Sequence, residues 1–158
     1  MKINIGLTET QRAGVAALLH ALLADEHVLY TKTRKAHWNV SGQNFMEYHK
    51  FFEGQYEQLA KTIDEVAERS LKLGIKVPAT MLEFSKLARL SETPGDDLDA
   101  HGFLAALLAD HEALIRQLRE NIEATQDTFE DAGTTDFFTG LMADHETMAW
   151  MLRRYLTR

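Results

Sequence analysis

Two pairs of side chains with metal-ligand character stand four residues apart on one stretch of the chain: His49 with Glu53, and Asp64 with Glu68. Residues 45–73 around them contain no Pro and a single Gly, Gly54, so the stretch is predicted as one long helix. At about 100° per residue the four fall within an arc of about 100°, on one side of that helix. At about 1.5 Å rise per residue the two pairs are centred about 22 Å apart. One helix cannot bring both pairs to a single ion.

A second copy of the chain can. Positions 49 and 68 sum to the same value as 53 and 64, so two copies packed antiparallel about a dyad between Gln58 and Leu59 set His49 opposite Glu68 of the partner and Glu53 opposite Asp64. Helices packed about 8–10 Å apart leave room for such side chains to share an ion. The hypothesis is a metal site built across a homodimer interface, twice per dimer. On the helix pattern alone, solvated polar residues are the commoner meaning of such pairs. Phe45, Phe52, Tyr56, Leu59, Ile63 and Val66 make the apolar stripe, and the ligand-type residues border it instead of lying opposite, as Glu47, Lys61, Glu65 and Lys72 do.

The elements that must position these residues read as helices throughout. Thr8 with Gln11 has the form of a capping box, and an apolar pattern from Val15 to Leu29 carries the first helix to about Trp38. The polar turn 39–44 is short enough to fold the second helix back antiparallel, and Gly74 is its predicted stop. Pro78 and Pro94, the only prolines, bracket a crossover with a short helix predicted over Met81–Leu90. A third main helix is predicted over Asp99–Thr125, a loop over Asp127–Thr135, and a fourth main helix from Asp136 to the end. Two antiparallel pairs joined by a long crossover make an all-α, ferritin-like antiparallel four-helix bundle with a short extra helix in the crossover. The expectation is a single domain over 1–158. The fragments LLADEH at 22–27, LLADHE at 107–112 and LMADHE at 141–146 echo one another, which we read as convergent helix grammar and not as a repeat.

Composition narrows the function classes. With 158 residues and 45% hydrophobic content the chain suits one core. It has no Cys, which excludes disulfide and thiolate chemistry and fits a reducing compartment. No apolar run is long enough to span a bilayer and the first residues lack the core of a signal peptide, so a cytoplasmic protein is expected. A net charge of −7 opposes general attraction to nucleic acid and suits cations.

No Glu is followed by His three positions later, so the usual di-iron centre within one bundle is not encoded, and no His-Glu-x-x-His is present for a zinc protease. That absence favours the arrangement between subunits. His37 ends the first helix, where the short turn can bring it beside His49. Two histidines with a carboxylate suit Fe(II), with positions left open for an oxidant. The remaining histidines, His20, His27, His101, His111 and His145, are expected to pack or lie at the surface, and Trp150 to lie in the core or an interface.

The segment HWNVSGQNFMEYH-x-x-x-E, His37 to Glu53, followed by DEVAERSLKLG, Asp64 to Gly74, resembles the Dps family, the mini-ferritins named as DNA-binding proteins from starved cells. The family pattern has a His, an aromatic, a Gly five residues after that His, a second His and a carboxylate four further on, and all are present. Many relatives carry Asp where this chain has Glu53, and Leu or Val where it has Tyr48. The resemblance runs from the first helix to the C-terminus.

What it implies is a hollow dodecamer that oxidises Fe(II), preferably with hydrogen peroxide, at ferroxidase centres on the two-fold interface, and stores the ferric product inside. Carried over by position, His37, His49 and Glu53 come from one chain and Asp64 and Glu68 from its partner, holding a pair of irons. Asp64 and Glu68 with His37 would hold the tighter iron, and His49 with Glu53 the weaker. Trp38, beside a ligand, is a candidate quencher of stray oxidising equivalents, with packing as its other role. Asp127, Glu130, Asp131 and Asp136 are candidates for an iron-admitting pore, with a solvated loop as the alternative. DNA binding in the family commonly rests on a Lys-rich tail; here only Lys2 and the trio Arg153, Arg154 and Arg158 are basic near the ends, so it is expected to be weak or absent. The alternative of a different class is a non-enzymatic protein that compacts the nucleoid.

Overall fold

The computed structural model describes residues 3–95 and 97–157; Lys2 and Arg158, weighed above for DNA binding, lie outside the described residues. Helix α1 (Glu9–Asn39) starts where Thr8 and Gln11 cap one another: Thr8 Oγ1 accepts from the Gln11 N–H at 3.2 Å, and the Gln11 side chain accepts from the Thr8 N–H at 2.9 Å. It ends at Val40, where the backbone turns extended. Gly42 (φ 92°) and Asn44 (φ 64°) then reverse the chain into α2 (Phe45–Lys72). His37 meets His49 at one end of this pair, and Arg12 Nη1 donates to the Leu73 carbonyl at 2.9 Å at the other. The two helices therefore run antiparallel along their length.

Helix α2 closes where the sequence places its stop. Gly74 (φ 75°) turns left-handed, its N–H donates to the Leu71 carbonyl, and the Ile75 N–H donates to that of Ser70. Ile3 packs into the space a side chain at Gly74 would need. In the crossover, α3 (Met81–Leu87) is capped by Thr80 and Glu83, but it ends three residues before the predicted Leu90. The cause is Asp25 of α1, which is fully buried: Oδ1 accepts from the backbone N–H of Arg89 (2.5 Å) and Leu90 (2.9 Å), while Oδ2 takes the Arg89 guanidinium at 2.7 Å. Those amides serve Asp25 instead of extending the helix.

Asp99 caps α4 (Ala100–Glu123) through the Gly102 N–H at 2.7 Å, and α4 runs on into a π-helical turn, Ala124–Thr128. Helix α5 (Ala132–Leu156) begins four residues before the predicted Asp136, so the expected loop 127–135 is mostly helical. Asp131 explains the difference. Its carboxylate accepts from the Thr134 N–H at 3.1 Å and pairs with Arg69 of α2 at 3.2 Å, which fixes it as the N-cap. Gly14 of α1 lets this corner pack closely, since a Cβ there would lie 2.2 Å from the Phe129 ring.

Pairs Glu112–Arg153 and Arg119–Glu146 set α4 antiparallel to α5. Leu19, Leu22 and Leu29 of α1, Phe52 and Leu59 of α2, Leu104 and Leu114 of α4, and Phe138 and Leu152 of α5 fill the centre, all buried. The result is an all-α, ferritin-like four-helix bundle with a short crossover helix, and no strand among the described residues. No helix among the described residues is long and apolar enough to cross a membrane.

One layer of this core is polar. The three echoing fragments converge there: Glu26 Oε1 lies 2.8 Å from His145 Nε2, and His145 Nδ1 lies 2.9 Å from His111 Nδ1. All three residues are buried, and Glu26 Oε2 and His111 Nε2 have no hydrogen-bond partner among the described residues. His111 and His145 pack inward as one of the two expected placements allows, but with a carboxylate partner from a third helix that their own sequence neighbourhood does not reveal.

Candidate metal centre

His37 stands in the last turn of α1 and His49 in the second turn of α2, and the turn between them folds the two together. Each ring is tied to the other residue's backbone: His37 Nδ1 donates to the His49 carbonyl and His49 Nδ1 to the His37 carbonyl, both at 2.8 Å. A carbonyl only accepts, so both Nδ1 atoms carry hydrogen. In the neutral rings this leaves Nε2 as the free lone pair, the tautomer a metal requires. The rings stack with centroids 3.7 Å apart.

Glu53 stands one turn after His49. Its carboxylate is engaged by Lys50 at 2.5 Å, and that hydrogen bond, aided by the nearby imidazoles, holds its carboxyl below the usual glutamate value. Asp64 and Glu68 lie further along α2, both exposed; Glu68 reaches Lys72 at 3.4 Å, and Asp64 makes no ion pair among the described residues. One chain brings together His37, His49 and Glu53 and leaves Asp64 and Glu68 apart from them. Among the described residues, no three His, Asp or Glu side chains of one chain converge tightly enough to hold a metal ion.

Residues that sequence reasoning passed over border the centre. Tyr56 sets its ring edge against His37, with centroids 5.1 Å apart. Arg34 places its guanidinium 4.6 Å from the Tyr56 ring and 4.8 Å from that of Trp38, and donates to the Tyr30 hydroxyl at 2.9 Å. Trp38 is 62% exposed on the outer side of this stack. A signal existed: Tyr30, Arg34 and Trp38 recur at four-residue spacing, and the register that pairs His37 with His49 also pairs Tyr30 with Tyr56.

Elsewhere, Asp127, Glu130 and Asp136 are exposed around the start of α5, while Asp131 is buried in its contacts with Arg69 and Thr134. His20 contacts Ser70 at 2.9 Å, His27 stacks on Phe84, and His101 is exposed. Trp150 is exposed in the single chain. Arg153 is paired with Glu112, which leaves Arg154 as the exposed cation without an ion pair at this end of the described chain.

Known proteins share both sequence and fold with this chain. A family model for the ferritin-like domain matches residues 16–158. A low temperature-induced protein of Nostoc sp. is 48% identical over 155 residues, covering 98% of this chain and 87% of the relative. DNA protection during starvation protein 2 of Bacillus anthracis is 35% identical over 144 residues, covering 91% of this chain and 97% of the relative. A crystal structure of a Dps protein from Vibrio cholerae, described as a member of a broad superfamily of ferritin-like diiron-carboxylate proteins, superposes with a TM-score of 0.92 at 34% identity, covering 99% of this chain and 98% of that one. Taken with the His37–His49 register and the bundle connectivity, these likenesses place the chain in the Dps family of ferritin-like proteins.

Proposed function

We propose that the chain, folded as one ferritin-like unit, oxidises Fe(II) with hydrogen peroxide and stores the ferric product inside a dodecameric cage, limiting oxidative damage to DNA. The observation that carries this reading is the reciprocal tie between His37 and His49, which leaves two Nε2 lone pairs free beside Glu53. Asp64 and Glu68 of a second copy complete the donor set, with His37, Asp64 and Glu68 at the tighter iron and His49 and Glu53 at the weaker. Imidazole and carboxylate donors suit Fe(II), and hard carboxylates favour the ferric product. Each of two Fe(II) ions gives up one electron, and together they cleave the O–O bond of one peroxide to two hydroxide ions. Pairing the electrons in this way releases no hydroxyl radical.

Trp38, beside Arg34 and Tyr56, intercepts oxidising equivalents that escape the centre. Asp127, Glu130 and Asp136 draw Fe(II) toward a pore between subunits; Asp131 is spent on Arg69 and the helix cap, and its part there is structural. With a net charge of −7 and Arg153 paired with Glu112, the cage does not condense DNA at physiological salt.

Light scattering of the purified protein is expected to give the mass of a dodecamer, and a stable monomer would sink the proposal. Fe(II) oxidation by peroxide, followed by absorbance, is expected to slow strongly in His37→Ala and Asp64→Ala. Variants as fast as the native protein would overturn the site assignment. A gel shift that survives physiological salt would overturn the statement on DNA.

A further inference from the structure

We infer that Lys50 sets the affinity of the weaker metal position, because its ammonium occupies the Glu53 carboxylate before a metal arrives and must be displaced by it. The inference rests on the proposed function of the His37–His49–Glu53 cluster. The carboxylates of the two half-sites are unequally free. Asp64 has no ion-pair partner among the described residues, Glu68 meets Lys72 only at 3.4 Å, and Glu53 is held by Lys50 at 2.5 Å. Competition for a carboxylate therefore falls on the Glu53 position.

The side-chain exposures support displacement over a permanent structural role. Lys50 is 65% exposed and has solvent to retreat into, whereas Glu53, at 27%, stays against the cluster. A lysine ammonium is a compact charge on a flexible stem, well suited to leave and return. Lys50 also follows His49 directly in sequence, so its charge stays near the incoming cation even after the contact breaks. The pair is exposed, which limits its strength and makes it sensitive to salt. Lys50 thus acts as a positioning and affinity-setting residue: it favours filling the tighter position first, and lets the second iron bind when Fe(II) is plentiful.

The test is a titration of the assembled protein with Co(II) in the absence of oxidant, read by calorimetry and by the cobalt absorption bands. Lys50→Gln is expected to tighten the second binding step about two- to five-fold and leave the first step unchanged. Lys50→Glu is expected to tighten it further, Lys50→Arg to preserve the native affinity, and the difference between native and Lys50→Gln to shrink as NaCl is raised. Equal second-step affinities in native and Lys50→Gln protein, or an equal shift of both steps, would overturn the inference. His49→Ala separates the two levels. If it abolishes the second step while Lys50→Gln changes nothing, the site reading stands and the role of Lys50 falls. If His49→Ala leaves both steps intact, the site reading falls and takes the inference with it.

Discussion

Glu26 and His145 meet in the bundle centre at 2.8 Å with almost no exposure, as hydrogen-bond partners. Removing one partner leaves the other's buried polar atom unsatisfied, so His145→Leu is expected to cost about 1–3 kcal/mol. The double replacement Glu26→Leu with His145→Leu is expected to recover much of that loss in thermal unfolding, because no buried polar group of the pair is then left unpaired. His111 extends the contact and adds a pH dependence. Burial, reinforced by the neighbouring His145, holds it well below the ordinary imidazole value. Its unfolded form takes a proton near pH 6.5, so the unfolded state binds more protons below that pH. The contribution is intact above pH 6.5 and falls as the solution is acidified, by at most about 1.4 kcal/mol per pH unit. His145 is the titratable group in contact with it, Glu26 lies beyond His145, and the buried residues of α2 include none. His111→Asn is expected to flatten the acid arm of a plot of melting temperature against pH. The contact itself was not legible in the fragments 22–27, 107–112 and 141–146, where His111 and His145 are expected either to pack or to lie at the surface; which residue turns inward depends on how three helices are rotated together. The pairing of His37 with His49 was legible, because a five-residue turn leaves those two positions little freedom.

Helices were readable from apolar spacing, and their ends were readable wherever the cap is local. Thr8 with Gln11 and Gly74 fall where the sequence puts them. The two ends that differ, Leu87 and Ala132, are set by partners more than 60 residues away, Asp25 for the first and Arg69 for the second. A one-dimensional pattern has no access to such acceptors and donors. The crossover is accordingly predicted to depend on a single carboxylate. Asp25→Ala should leave three donors of Arg89 and Leu90 without acceptors, and amide hydrogen exchange at those two positions should accelerate well before exchange in α1 does. At the opposite corner, Gly14→Ala should force the Phe129 ring aside and destabilise the π-helical turn by about 1–3 kcal/mol, measured as a lowered thermal midpoint.

At the scale of the whole molecule, the separation of the two ligand pairs along α2 makes ownership of the centre testable without any structure of the assembly. If each centre draws His37 from one chain and Asp64 from another, His37→Ala and Asp64→Ala subunits are each inactive alone. A mixed dimer still contains one intact centre, made by the normal His37 of one chain and the normal Asp64 of the other. Unfolding and reassembling the two variants together in equal amounts should restore about one quarter of native Fe(II) oxidation, since about half the dimers are mixed and half of their centres are whole. A centre held within one chain would give no recovery. The symmetric placement of the ligand types leads to the proposal of this arrangement from the sequence alone, whereas the proposed role of Lys50 rests on side-chain geometry. The reciprocal backbone ties of His37 and His49 carry one more consequence. Freezing a side chain on binding costs about 0.5–1.5 kcal/mol of lost rotamer freedom. Here that entropy is given up while the chain folds, so at the proposed centre a metal would meet two imidazoles already held in place by their Nδ1 ties.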